Sequence, residues 1–379
     1  MNVALFLTYD YSIKTWLDSG TLKKELKIYK ELNKKHGVKF TIFSYGNDDD
    51  ITILKNEVNK DEITVIPIYS FIKKNKNKYF RFLKSLLLPI LIRKKFKNIS
   101  IIQQHQLYGV WVSLILSKIL NLPYYLRTGY DVYSFSIFEN KSKLKIFFNK
   151  LLTYYGLKYA DIYSVTSVTD LMFLNEKFKI ESSKIKLRPN WVTNNNKEDI
   201  LNRDKNKILS IGRLVDQKNF TLLIKEFSNT KDTLEIEIIG DGYEFTKLKN
   251  LAKQNNVSLK FIKNLNNDEI LKKLNEYTIF VSTSKFEGNP KTILEAMSTG
   301  CIVFASDIKA HSELINNGIN GILFNLENPN LLRIYKELIL NDQKILKISK
   351  EATKYIIKNN LLENVAELYF QDYQLISSQ

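Results

Sequence analysis

Two carboxylates, Glu287 and Glu295, stand with seven residues between them in the run Glu287-Gly-Asn-Pro-Lys-Thr-Ile-Leu-Glu295. A strand-like stretch at residues 279–282 precedes the run. Ala296-Met-Ser-Thr-Gly300 and a second strand-like stretch at 301–305 follow it. The order reads strand, loop, helix, Gly stop, strand. Glu287 thus falls in a loop beyond a strand's carboxyl end, and Glu295 falls inside the next helix. Open α/β sheets bind ligands at that edge, and a helix start there offers N–H groups to an anion. A nucleotide-sugar suits this layout, with one carboxylate for sugar hydroxyls, the helix start for phosphate and the other carboxylate for the ribose diol. The spacing alone fits a surface loop and a solvated helix glutamate equally well.

A second segment bears on that choice. Lys207-Ile-Leu-Ser-Ile-Gly-Arg213 reads as a strand ending in Gly and Arg, and Gln217-Lys218 opens a helix. Arg213 and Lys218 therefore reach the same kind of sheet edge, where both can face a diphosphate. A sugar leaving a nucleotide diphosphate deposits negative charge on the β-phosphate. Removing one group that stabilises such charge commonly costs about 3–4 kcal/mol. Read without their neighbours, the two residues are ordinary solvated cations.

Gly212-Arg213-Leu214, Lys218, the turn Gly240-Asp241-Gly242 and the stretch from Glu287 to Met297 follow one another in order. Together they resemble the motifs of the retaining GT-B glycosyltransferases of the GT4 type, over most of residues 207–325. The resemblance implies an α/β protein of GT-B fold, with two facing Rossmann-like domains built on parallel, doubly wound sheets. It makes Arg213, Lys218 and Glu287 the catalytic set. It makes Gly212, Gly242, Asn289, Pro290, Lys291, Thr292, Ile293 and Glu295 donor-binding. The donor is then a UDP- or GDP-sugar, with no further cofactor and no metal, because cationic side chains take the metal's place. The histidines, His36, His105 and His311, have no His or Cys neighbour at ligand spacing.

The first half departs from the family in places. Pro123-Tyr-Tyr-Leu-Arg127-Thr128-Gly129-Tyr130-Asp131 resembles a strand followed by H-G-x-D, in which the histidine touches the donor sugar. Aligned on Gly129 and Asp131, that histidine is Thr128, with Arg127 beside it. Arg188-Pro-Asn190-Trp191-Val192 matches a P-N-G-V segment with Trp191 in the glycine's place. His105 follows a strand-like stretch and reads as a ligand contact or, more simply, a structural histidine. Residues 12–21 are expected as the loop after the first strand, where this fold receives the acceptor. Gly20 would let backbone approach a ligand there, and Trp16 would stack on a sugar face.

The elements that must position these residues alternate. In the first half, strand-like stretches fall at 3–8, 39–45, 64–68, 99–103, 124–126, 162–165 and 184–187, with helical spacing between most of them. A polar run at 193–206 interrupts the pattern, which restarts with strands at 207–211, 234–239, 259–262, 279–282 and 302–305. Such alternation implies parallel sheets. The expected domains are an acceptor-binding one at 1–192, a linker at 193–206 and a nucleotide-sugar domain at 207–360. By resemblance, a final helix within 361–379 packs back on the first domain.

The chain's 379 residues suffice for two cores, and a hydrophobic fraction of 44% argues for a folded protein. A net charge of +17 points to nucleic acid, an anionic membrane or acidic substrates. No zinc spacing or aromatic RNA-binding motif supports the first. Lone Cys301 and the lack of a leader-like amino terminus suit a cytoplasmic protein, and no stretch approaches the about 18 apolar residues that cross a bilayer. Residues 71–97 contain no acid and many lysines around Leu86-Leu-Leu-Pro-Ile-Leu-Ile92. They read equally as a membrane-interface segment or as a buried helix followed by a solvated basic turn. The resulting expectation is a peripheral enzyme on the inner face of the cytoplasmic membrane. It would move a hexose to a glycan, lipid-linked acceptor included, in cell-surface polysaccharide, lipopolysaccharide or capsule assembly. A GT-B enzyme with a soluble acceptor, a nucleotide-sugar epimerase and a basic nucleic-acid-binding protein are the alternatives.

Overall fold

The computed structural model describes residues 1–179, 182–194, 199–230, 233–263 and 265–378. It divides into two compact units, Met1–Pro189 with Val365–Gln379, and Asn190–Asn364. Each is a parallel sheet with helices between its strands, as the alternation requires.

The first unit has seven strands: β1 (Asn2–Phe6), β2 (Lys39–Ser44), β3 (Ile63–Pro67), β4 (Ile101–His105), β5 (Tyr124–Arg127), β6 (Ile162–Val165) and β7 (Ile185–Leu187). Their order is β3-β2-β1-β4-β5-β6-β7, so the winding reverses between β1 and β4. Val3 to Phe6 are wholly buried, as a central parallel strand covered on both faces must be. Phe6, Phe43 and Phe96 stack in the core. Residues 12–21, expected as an open loop, instead form a helix at Ile13–Asp18. Ser12 and Thr15 make its capping box, and buried Asp50 accepts from Ile13 N at 3.3 Å and Lys14 N at 3.0 Å. These bonds satisfy N–H groups that a helix start leaves open, and Asp50 lies far away in sequence.

The second unit has six strands: β8 (Asp204–Ile211), β9 (Glu235–Ile239), β10 (Ser258–Ile262), β11 (Tyr277–Ser282), β12 (Ile302–Ser306) and β13 (Ile322–Phe324). Their order is β10-β9-β8-β11-β12-β13, so this sheet's winding reverses between β8 and β11. Ile279 pairs with Ile208 and Phe280 with Leu209. Alternate residues go to opposite cores: Ile208, Ile279 and Ile302 to one, Leu209, Phe280 and Val303 to the other. β13 is three residues long, too short for its alternation to stand out in the sequence.

The polar run at 193–206 lies inside the second unit rather than between the units. Ile200–Asn202 is a 3₁₀ turn and β8 already begins at Asp204, because a backbone ladder accepts exposed Lys and Asn side chains at a strand's start. Residues 195–198 of that run lie outside the described residues. The final helix, Leu362–Ser377, contributes Tyr369, Asp372 and Tyr373 to the interior of the first unit.

Candidate functional site

The reversal between β8 and β11 places two segments distant in sequence side by side. Gly212 and Arg213 leave the end of β8, and residues 283–287 leave the end of β11. A 3₁₀ turn at Asp216–Lys218 ties them together. Lys285 N donates to Gln217 O at 2.9 Å, Gln217 Nε2 to Phe286 O at 2.8 Å, and Thr283 Oγ1 to Lys218 O at 2.9 Å. Lys218 Nζ forms an ion pair with Glu287 Oε1, and Ser284 Oγ donates to the same oxygen at 2.7 Å. Arg213 is exposed. The glycines of the neighbouring turn explain themselves sterically, since a Cβ on Gly240 would lie 1.9 Å from Gly212 O. That contact brings Gly212 N within 3.0 Å of Ile239 O and Leu214 N within 2.9 Å of Asp241 O. The Gly-Asp-Gly turn braces the Gly-Arg-Leu turn.

The donor-binding candidates divide by environment. Pro290 caps the helix Lys291–Ser298, and the helix starts directly behind the Glu287 loop. Asn289 offers its carbonyl to Asn190 Nδ2 at 2.9 Å, while its own Oδ1 is buried without a partner. Lys291 and Thr292 are half-buried. Glu295 is buried, and Asn267 Nδ2 donates to its Oε1 at 2.8 Å. Ile293 is a correction: its side chain is core and its N–H bonds Pro290 O at 3.2 Å, so it offers a ligand neither. Gly242 stands three positions before the first residue of the helix Phe245–Gln254, with Glu244 as N-cap.

Sequence reasoning missed the layer behind Glu287. Ser306 Oγ donates to Ser284 O at 2.6 Å, and His311 Nδ1 lies 2.8 Å from Ser306 O, which makes it the protonated nitrogen. Burial lowers the His311 pKa to about 4, so the ring is neutral at pH 7. Its Nε2 is an acceptor, buried without a partner. No spacing rule points to these residues. The one available signal was Ser284, three positions before Glu287.

In the first unit, β4 and β5 end on His105 and Arg127. His105 Nδ1 lies 3.2 Å from Tyr29 OH, and its Nε2 lies 3.8 Å from Glu25 and 3.5 Å from Arg127 Nη1. Arg127 Nε donates to Tyr369 OH at 2.8 Å. Burial opposes the guanidinium charge, yet Tyr369, Glu25 and Tyr29 hold its pKa above the ordinary value. Trp16 is buried edge-on against His105, so its ring packs in the protein and is not laid open for a sugar face. Thr128 and Asp131 are corrections of the same kind. Thr128 is fully buried and donates to Ser164 O at 3.0 Å. Asp131 is fully buried and caps the helix Val132–Phe138 through Ser134 N at 2.6 Å. Gly20, at φ +70°, turns the chain between two helices, a conformation glycine adopts without strain.

The basic stretch at 71–97 forms two short helices, Lys78–Ser85 and Leu88–Ile92, and a 3₁₀ turn at Arg93–Phe96. The two sequence alternatives are each partly realised. Leu88, Ile92 and Phe96 are buried, whereas Tyr79, Phe80, Leu83, Leu87, Ile90 and Leu91 are exposed. Arg81 is tied to Asp10 at 2.7 Å, which leaves Arg93 and most of the lysines as the exposed cations. Among the described residues no helix is long and apolar enough to cross a membrane.

Two doubly wound sheets, the second with a cationic turn and a carboxylate at its reversal point, define a GT-B protein. HepE from Anabaena in complex with UDP-glucose has this fold, with a TM-score of 0.75 and 17% identity over 98% of this chain and 99% of that one. Residues 192–359 match the family model of glycosyl transferases group 1. A Campylobacter jejuni relative is N-acetylgalactosamine-N,N'-diacetylbacillosaminyl-diphospho-undecaprenol 4-alpha-N-acetylgalactosaminyltransferase. It is 28% identical over 58% of this chain, which spans 61% of that protein's length. The Staphylococcus aureus capsular polysaccharide biosynthesis glycosyltransferase CapH is 26% identical over 65% of this chain and 68% of its own.

Proposed function

We propose that this chain is a GT4-type retaining glycosyltransferase. It moves a hexose-type unit from a UDP- or GDP-sugar to a lipid-linked glycan in cell-surface polysaccharide assembly. The observation that carries the reading is the Lys218–Glu287 ion pair at the sheet's reversal point, with Arg213 leaving β8 at the same edge. In the reaction the bond from the sugar's anomeric carbon to the β-phosphate oxygen breaks. A bond from that carbon to an acceptor hydroxyl oxygen forms, and the hydroxyl proton goes to the departing phosphate. Arg213 and Lys218 balance the charge that accumulates on that phosphate. Glu287 holds Lys218 in position beforehand and accepts from the sugar's hydroxyls, while Glu295 is assigned the ribose diol. These cations make the chemistry metal-independent. The lipid-linked acceptor draws support from what the Campylobacter relative is named for and from the exposed, lysine-flanked apolar residues within 71–97, which suit the inner face of an anionic membrane.

The test is a thermal-shift screen of UDP-, GDP-, ADP- and dTDP-sugars in the presence of EDTA. One nucleotide class should raise the melting temperature. No shift with any of them, or a shift that needs a divalent ion, would sink the assignment.

A further inference from the structure

The helix Lys143–Tyr159 is built inside out. Its buried residues are Asn149, Thr153, Gly156 and Leu157, a face largely polar or small. Its outward stripe is Leu144, Phe147, Phe148, Leu151, Tyr155 and Tyr159, at the three- and four-residue steps that keep one helix face together. Leu144 is 79% exposed and Phe147 58%. A helix of a globular protein normally turns such a stripe inward, and an exposed contiguous apolar face marks an interaction surface. The polar inner face is used: Asn149 Oδ1 accepts from Tyr108 OH at 2.9 Å and Thr153 Oγ1 donates to Asp131 at 3.3 Å. These bonds hold the helix with its apolar side out.

The stripe does not stand alone. On the neighbouring helix Val110–Leu120, Ile115 and Ile119 are also exposed, and Lys118 Nζ lies 5.7 Å from the Tyr159 ring centre. That helix packs in turn on Leu88–Ile92, and Trp111 Nε1 donates to Ser85 Oγ at 2.9 Å. One face of the first unit therefore carries the exposed residues of Leu88–Ile92, Val110–Leu120 and Lys143–Tyr159 side by side. Four lysines and no acid lie within 143–159, and nearby Glu139 is paired with Lys141 at 3.2 Å.

We infer that Lys143–Tyr159 is a second membrane-inserting element, whose stripe enters the headgroup boundary of an anionic bilayer beside the 71–97 segment. The inference rests on the peripheral-membrane reading above and extends its contact surface. The charge distribution selects this occupant. A two-fold dimer through this face would set its lysines against their own copies. Nucleic acid would engage the lysines but leave leucine and phenylalanine without a partner. An anionic lipid surface accepts both components, apolar side chains below the phosphates and ammonium groups beside them.

The experiment measures sedimentation of the full chain with phosphatidylcholine vesicles, with and without phosphatidylglycerol. Leu144→Ser/Phe147→Ser/Leu151→Ser alters exposed positions only, so its melting temperature should equal the parent's. Its partitioning onto phosphatidylglycerol vesicles should fall about tenfold or more, as the lost apolar burial predicts. Leu144→Cys carrying an environment-sensitive dye should blue-shift on the same vesicles. Buried Cys301 leaves the introduced thiol as the one labelled. Parent-like binding by the triple variant, or an unshifted dye, overturns the inference. If Lys73, Lys74, Lys76 and Lys78 changed together to Gln release the protein while the triple variant stays bound, the membrane reading survives and this extension fails. If the parent binds no vesicles, both fail. If light scattering shows a parent dimer that the triple variant dissociates, with vesicle binding unchanged, the face is a self-interface and the inference is wrong.

Discussion

Gly212 lacks a side chain where Lys218 needs the space. A Cβ there would meet Lys218 Cε at 3.0 Å and Cδ at 3.1 Å, so Gly212→Ala should displace the lysine stem from the ion pair with Glu287. Turnover is expected to drop severalfold while the melting temperature stays near the parent's, because the displaced atoms end in a flexible side chain. Steady-state kinetics beside a thermal melt checks both halves. Arg213→Ala and Lys218→Ala should each cost on the order of 100-fold in kcat, as loss of one charge-stabilising group does. Glu287→Gln turns half of an acceptor-only group into a donor, so it should weaken donor binding, read as a smaller thermal shift. Near-normal turnover in all three would place the chemistry elsewhere. Arg213, Lys218 and Glu287 were legible because each lies in a recognisable run just past a strand. Ser284, Ser306 and His311 were not, since their roles depend on bonds between segments at the ends of two different strands, β11 and β12.

At the scale of elements, the Asp131 cap shows how burial turns a motif residue into a structural one. Burial pushes its carboxyl up to about 7, against the Ser134 N–H and Thr153 hydroxyl bonds that favour the charged form. An unfolded aspartate titrates near 3.9. From about pH 4 to 7 the folded chain thus holds a proton that the unfolded chain has released. This contribution is complete at acid pH and is lost as pH rises through the folded value, by at most about 1.4 kcal/mol per pH unit. Asp131→Asn keeps an acceptor at the helix start and removes the titration. Thermal melts across that window should show a flatter slope for the variant, and an unchanged slope would assign it to another group. The sequence showed Gly129 and Asp131 in a familiar spacing but carried no sign of Thr153 closing over the carboxylate.

For the whole molecule, the last helix returns to the first unit. Asp372 accepts from Arg188 Nη2 at 2.5 Å, from Arg188 Nε at 2.7 Å and from Tyr125 OH at 3.1 Å. Tyr373 OH donates to Gln103 at 2.5 Å. Asp372→Ala would leave the Arg188 guanidinium without its carboxylate and Tyr125 without an acceptor. Breaking a buried pair in this way commonly costs roughly 3–5 kcal/mol. The melting temperature of the first unit should fall clearly, with donor-induced stabilisation of the second unit retained. A variant as stable as the parent would show that water replaces the pair.

The alternation of strands and helices, the two-unit plan and the order of the second-unit motifs were written in the chain, because short-range periodicity and local turns determine them. Residues 207–213 and 279–287 each announced a strand and a candidate functional loop. That β8 and β11 are neighbours, so that Lys218 meets Glu287, is decided by the winding of the sheet. The helix at Ile13–Asp18 needed Asp50 to satisfy its first N–H groups, and Trp16 went inward with it. The face on which Lys143–Tyr159 carries its apolar stripe was equally a tertiary matter. Helical spacing gathers Leu144, Phe147 and Leu151 on one side, but it took the bonds of Asn149 and Thr153 to point that side outward.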